Sequence, residues 1–149
     1  MTSLPYRVRP AIPGDQEHIA NLMQQLGYDI SSLKIFDRLT EFQDSSTDAV
    51  FVATTDETTV GCISLHLPPL FHSTGYLGRI TSLVIDGQYR RQRVGSSLIS
   101  AATQWFLASG CAKIEVTSGD HRSDAHQFYE AQGFFRDGQR FSKKFAEKP

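Results

Sequence analysis

The sequence predicts one α/β (α+β) domain over residues 1–149, a mixed, mostly antiparallel seven-stranded sheet with helices on both faces. Three observations lead there. The length suits one domain with a real core. Runs of strand and helix character follow one another as strand, two helices, three strands, helix, strand, helix, two strands. The early strands meander, whereas the later ones alternate with helices, and that combination makes a mixed sheet.

Each element has its own signal. "YRVRPA" alternates and reads as a first strand, after which Pro13, Gly14 and Asp15 punctuate the entry to a helix. Ile19, Leu22, Met23 and Leu26 recur at helical spacing before Gly27 stops the run. In "SSLKIFDRLTEF", Ser31 or Ser32 can cap a second helix whose Leu33, Phe36 and Leu39, extended by Thr40, share a face. "AVFVATT" and "TVGCISLHL" are β-rich and separated by Asp56 and Glu57, the pattern of a hairpin. After the loop "PPLFHSTG", strand composition resumes in "YLGRITSLVI". The next helix carries Val94, Leu98, Ala101 or Ala102, and Trp105 on one stripe and stops near Ser109-Gly110. "AKIEVTS" is a strand, "SDAHQFYEAQG" a short helix closed by Gly133, and "FFRDGQRFSKKF" a terminal strand pair turning at Asp137-Gly138.

Composition narrows the function. A formal net charge of −1 excludes a global electrostatic commitment to nucleic acid. Cys62 and Cys111 lie outside any metal-ligand spacing, so free thiols and no metal are expected. No apolar run reaches the ~20 residues that span a bilayer, and "MTSLPYRVRP" carries no hydrophobic signal region, so the expectation is a cytoplasmic protein without a membrane partner. A G-x-S-x-G nucleophile elbow is absent, which removes the common serine-hydrolase reading.

The informative stretch is "DGQYRRQRVGSSLISAATQW". A helix N-terminus exposes unpaired N–H groups and a partial positive charge, a ready site for an anion. Gly95 would let a phosphate approach the backbone, Arg90, Arg91 and Arg93 add cations, and Ser96 and Ser97 add hydroxyl donors. A diphosphate suits that arrangement. The alternative is a solvated arginine rim above a serine-capped helix.

"LVIDGQYRRQRVGSSLI" resembles motif A of the GNAT superfamily of acyl-CoA-dependent N-acetyltransferases, a strand and turn followed by R/Q-x-x-G-x-G/A at the start of a helix. Arg90, Arg91, Gln92, Arg93, Val94 and Gly95 take up that pattern, with Arg93 where the first glycine stands. "DAHQFYEAQGF", with Phe128, Tyr129, Gly133 and Phe134, resembles motif B. The segment from "DAHQFY" to "RFSKKF" is similar to aminoalkylphosphonate N-acetyltransferases and, less closely, to aminoglycoside acetyltransferases.

The resemblance implies a parallel strand pair that splays apart to admit acetyl-CoA. Its pantetheine arm would pair with the backbone of Leu83, Val84 and Ile85, and an N–H near Val84 would stabilise the tetrahedral oxyanion. Its pyrophosphate would sit on Arg90 to Ser96; Arg93 is expected to be helical in backbone, its side chain turned outward or over the phosphates. Arg122 joins the cofactor set, where many relatives carry an asparagine that contacts the pantetheine arm. Tyr129 takes the place of the acid that protonates the departing sulfur. The partner implied is a small-molecule amine, and the assembly a homodimer.

The base is open. The strand "YLGRITSLVI" has Arg79 and Ser82 where similar sequences often have glutamates, leaving His72, His66, Glu115, His126 or a water chain. Arg79 can alternatively hold a carboxylate or phosphonate on the acceptor, and His72 is the other candidate for substrate binding. The rival function is a catalytically weak CoA-binding sensor or regulatory module, which the missing strand carboxylate would suit.

Overall fold

A computed structural model describes residues 6–56, 58–90, 93–117 and 123–146. The chain divides into two compact units, Met1–Thr117 and Ser118–Pro149.

The first unit opens with β1 (Arg7–Pro10), a 3-10 turn (Pro13–Asp15), α1 (Gln16–Leu26) and α2 (Ser32–Gln43). It continues with β2 (Asp48–Thr55), β3 (Thr58–His66), β4 (Tyr76–Ile85), a second 3-10 turn (Gly87–Tyr89), α3 (Val94–Ala108) and β5 (Cys111–Val116). The strands make one five-stranded sheet in the order β1-β2-β3-β4-β5. The first four run antiparallel to their neighbours, and β5 joins β4 in parallel after the α3 crossover.

Local chemistry accounts for the boundaries. α1 ends where Gly27 takes φ 108°, and the N–H of Tyr28 bonds the carbonyl of Met23 at 2.9 Å. Ser31 caps α2, its Oγ accepting from the Lys34 N–H at 3.2 Å. The buried side of α2 is not the expected one. Leu39 is buried and Ile35 packs beside it, whereas Leu33 and Phe36 are exposed. Leu39 belongs to both possible stripes, and contact with the sheet selects the 35–39–42 one. In α3 the stripe runs Val94, Leu98, Ala102, Phe106, so Phe106 and not Trp105 is the fully buried aromatic.

Helices cover both faces. Val52, Cys62 and Val84 are cross-strand neighbours that pack against Ile19, Leu22, Met23 and Leu39 of α1 and α2. On the opposite face Gly61 lies under Val94 and Leu98, and Gly78 under Phe106. Cys62 and Cys111 are free thiols, as expected. Burial pushes the Cys62 thiol up to about 12.

The second unit contains α4 (Ser123–Ala131), closed by Gly133 at φ 93° with the N–H of Phe134 on the carbonyl of Tyr129 at 3.0 Å. The expected terminal strand pair does not form: residues 134–146 hold no strand, so the sheet has five strands among the described residues rather than seven. An isolated two-stranded hairpin is marginal without an apolar surface to lie on. Phe135, Phe141 and Phe145 are exposed in this segment.

Candidate functional site

The parallel pair β4/β5 is short. Its register runs from Tyr76↔Cys111 to Ile80↔Val116 and stops. Beyond that point β4 continues to Ile85, and among the described residues Ser82–Ile85 have ladder partners on β3 alone. Leu83, Val84 and Ile85 therefore have no ladder partner on the β5 side among the described residues. An open edge presents alternating N–H and C=O groups to whatever extended group lies beside it.

The end of β4 leads into the arginine turn. Asp86 accepts from the Gln88 N–H at 2.9 Å, while Gln25 of α1 donates to Asp86 at 3.3 Å and accepts from the Gly87 N–H at 3.2 Å. These bonds fix the chain direction into Arg90, which is extended and exposed. Arg91 and Gln92 lie outside the described residues, as does Arg122. Arg93 corrects the sequence expectation: it caps α3 at φ 66°, ψ 12°, left-handed rather than helical. Its side chain is exposed. That backbone region favours glycine, the residue the motif has there. Val94 is buried under the sheet, leaving Gly95 and Ser96 half-buried at the helix entrance. Ser97 shares a 3.3 Å hydrogen bond with the Tyr6 hydroxyl and ties α3 to the start of β1.

On the α1/α2 face, opposite α3, a pocket of about 220 Å³ opens over the same strand. Ile19, Met23, Leu39 and Phe42 supply its apolar wall, and Ser64, His66, Thr81 and Ser82 its polar floor. The floor comes from a β-bulge. Ser64 pairs with Ser82 and Leu65 with Ile80, so Thr81 is the extra residue. His66 Nδ1 sits 2.7 Å from Asp48 Oδ1 and its Nε2 2.8 Å from Thr81 Oγ1. Burial opposes charge on Asp48, but hydrogen bonds from His66, Ser45 and Thr47 outweigh it and hold the carboxyl below its ordinary range.

The other named residues are dispersed. Arg79 pairs with Glu115 at 3.4 Å, and Lys113 reaches the same carboxylate at 3.4 Å. Arg79 stands opposite His66 in the ladder, on the pocket side of the sheet. His72 lies exposed in the 67–75 connection, away from the pocket lining. In the second unit, Tyr129 packs edge-on to Phe128 and Phe134, with ring centroids 5.4 and 5.6 Å away. His126 lies 3.4 Å from Arg136. Asp48, Ser64 and Thr81 did not emerge from the sequence, because only the register of three strands and a bulge brings them together. Among the described residues no acidic, histidine or cysteine cluster suits a metal, and no helix is long and apolar enough to cross a membrane.

Comparison with known proteins agrees with this architecture. The chain is 34% identical over 84 residues to an aminoalkylphosphonate N-acetyltransferase of Salmonella typhimurium, a match covering 56% of this chain and 54% of that relative. The chain thus matches about half the length of that curated relative. A crystal structure described as a transcriptional regulator from Bacillus halodurans superposes with a TM-score of 0.84 at 22% identity, covering 94% of this chain and 99% of the other. An aminoglycoside acetyltransferase from an uncultured soil metagenomic sample, in complex with sisomicin, gives a TM-score of 0.80 at 19% identity over 97% of each chain. At these identities the two structures speak for the fold. The model of the acetyltransferase (GNAT) family, whose members take their acyl group from acetyl-CoA, matches residues 18–134, and the chain belongs to that family.

Proposed function

We propose that the protein is an acetyl-CoA-dependent N-acetyltransferase that acetylates the primary amine of a small molecule, one carrying a carboxylate or phosphonate. The observation that carries this reading is the open edge of β4 beyond Ile80, leading directly into the arginine turn at the start of α3. An extended amide chain ending in a diphosphate fits both parts. The backbone of Leu83, Val84 and Ile85 would pair with the pantetheine amides, and the Val84 N–H would carry developing oxyanion charge. Arg90, Arg91, Gln92, Arg93, Val94, Gly95 and Ser96, with Arg122, would hold the phosphates and the adjoining arm. Acetyl-CoA supplies the activated acyl group; the protein orients it and manages protons.

Tyr129 is the proposed acid, on the strength of the motif in which it stands. Arg79 and His72 are proposed to face the anionic end of the acceptor, a reading supported by Arg79 lying on the pocket side of β4 and by the aminoalkylphosphonate N-acetyltransferase relative. The family match extends across residues 18–134 and supports a single functional domain. A cytoplasmic homodimer completes the proposal, and light scattering in solution tests its stoichiometry.

The direct experiment measures thiol release from acetyl-CoA over aminophosphonates, amino acids, polyamines and aminoglycosides. Turnover confined to the first two classes is expected. Tyr129→Phe should lower kcat about 100-fold with acetyl-CoA affinity unchanged; an unchanged kcat removes the proposed acid. The absence of a carboxylate from β4 favours a second reading, a CoA-binding regulatory module. Acetyl-CoA binding without turnover on any amine would select it.

A further inference from the structure

β4 carries no carboxylate, but its bulge carries hydroxyls. Ser82 Oγ lies 2.5 Å from Ser64 Oγ, which lies 2.7 Å from Thr81 Oγ1, and that oxygen is 2.8 Å from His66 Nε2. The far side of the imidazole meets Asp48 at 2.7 Å. In the base form of the relay, with the imidazole neutral, Asp48 sets the direction of the bonds in this row. Its Oδ2 accepts from the Ser45 and Thr47 hydroxyls at 2.9 and 3.0 Å, and an ionised carboxylate can only accept. The Nδ1–H of His66 therefore donates to it, and when the ring is the neutral base Nε2 is left with a lone pair. Thr81 donates to that lone pair, Ser64 donates to Thr81, and Ser82 donates to Ser64. Ser82 is the open end, lining the pocket one residue before the open strand edge at Leu83.

We propose that Ser82, Ser64 and Thr81 form a proton relay that drains the acceptor amine into His66, with Asp48 as the positioning residue that holds the ring. The proposal rests on the acetyltransferase reading above. The acceptor ammonium gives one proton to Ser82 Oγ. Ser82 passes its own to Ser64, Ser64 to Thr81, and Thr81 to His66 Nε2, where Asp48 stabilises the imidazolium. The freed lone pair forms the C–N bond as the carbonyl π pair moves onto oxygen; when that pair returns, the C–S bond breaks and its electrons leave on sulfur. The second nitrogen proton, acidic once the acyl group is attached, is lost to solvent, and Tyr129, having protonated the thiolate, takes a proton back from solvent. His66, whose side chain is 26% exposed, returns its proton to solvent.

The charged surroundings of His66 are Asp48 on β2, Arg79 opposite it on β4, and Arg38 of α2 across the pocket. Arg79 is partnered by Glu115 and Arg38 by Glu41. Phe42 of α2 adds an edge-on ring at 5.8 Å and α1 only apolar wall, so Asp48 is the one carboxylate in contact with the imidazole among the described residues.

The test uses three variants and one spectrum on the full chain. His66→Gln and Ser64→Ala should each lower kcat about 100-fold, leave the Kd for acetyl-CoA unchanged and remove one ionisation from the acid side of the kcat profile. Asp48→Asn should lose about tenfold or more by freeing the tautomer. Ser64→Ala removes a single oxygen and leaves His66 and Asp48 in contact, so its loss cannot be charged to a collapsed site. Nitrogen-15 NMR of the wild-type ring should find the proton on Nδ1. A proton on Nε2 overturns the relay, as does Ser64→Ala or His66→Gln retaining wild-type kcat and pH profile in an active enzyme. A wild type that binds acetyl-CoA and acetylates no amine instead overturns the acetyltransferase reading, and the relay with it.

Discussion

Arg93 stands where the motif that this turn resembles has its first glycine. Its left-handed backbone, φ 66°, costs an L side chain about 1–2 kcal/mol. Glycine there would remove that cost while adding about 0.5–1 kcal/mol of unfolded-state entropy. Arg93→Gly should therefore stabilise the protein by roughly 0.5 kcal/mol, read as a higher urea midpoint at constant slope. The same change removes a cation from the arginine turn and should weaken acetyl-CoA binding about fivefold, the worth of an exposed ion pair. A lower midpoint would refute the strain account, and unchanged binding would place the guanidinium away from the phosphates. The motif was legible in the sequence, but the conformation of its odd residue was not. R-x-x-R-x-G reads equally well as one more helical residue, and the left-handed cap at Arg93, just before the buried Val94, is seen only in the fold.

At the scale of elements, the joint between β4 and α3 depends on an absent side chain. A Cβ on Gly78 would stand 2.7 Å from Phe106 Cδ1, and Phe106 is fully buried. Gly78→Ala should cost about 2 kcal/mol by overpacking, and Gly78→Ala/Phe106→Leu should recover part of it. Denaturant titration of the two single variants and the double checks both statements; additive losses would show that the ring was not the obstacle. Most elements could be read from the sequence because their signals are local: Gly27 and Gly133 end helices, Ser31 begins one, and Asp56 turns a hairpin at φ 51°. The misreadings were about what an element meets. The inward side of α2 shifted to Ile35 and Leu39, and the strand-like "FFRDGQRFSKKF" found no ladder in the described chain. Periodicity gives a stripe or an alternation; the partner surface decides which stripe is buried and whether a strand has an edge to join.

At the scale of the molecule, the pieces of the candidate site come from different ranges of sequence order. The arginine turn is contiguous and could be read directly. The floor of the pocket joins Ser64, His66, Thr81 and Ser82 from two strands and a bulge, with Asp48 of a third strand bonded to His66, and no spacing rule encodes it. Two carboxylates, Asp48 beside His66 and Asp15 at the start of α1, also couple the fold to pH. Burial opposes charge on Asp15, but Arg9 donates to both its oxygens at 2.8 Å and the Ile12 N–H donates at 2.9 Å, so its pKa is lowered. For either group the unfolded chain binds a proton more readily than the native one. Their stabilisation is therefore complete above the ordinary carboxylate range and is lost as the pH falls through the depressed native values. Stability should be flat near neutrality and decline below about pH 4. Asp15→Asn keeps one acceptor but no charge. With Arg9 40% exposed and partly screened, it should cost about 1–2 kcal/mol at pH 7. The deficit should shrink as both proteins are taken from pH 7 to an acid pH at which wild-type Asp15 is itself protonated. Urea midpoints at the two pH values decide the matter, and a deficit that stays constant would assign Asp15 a shape-filling role in place of an electrostatic one.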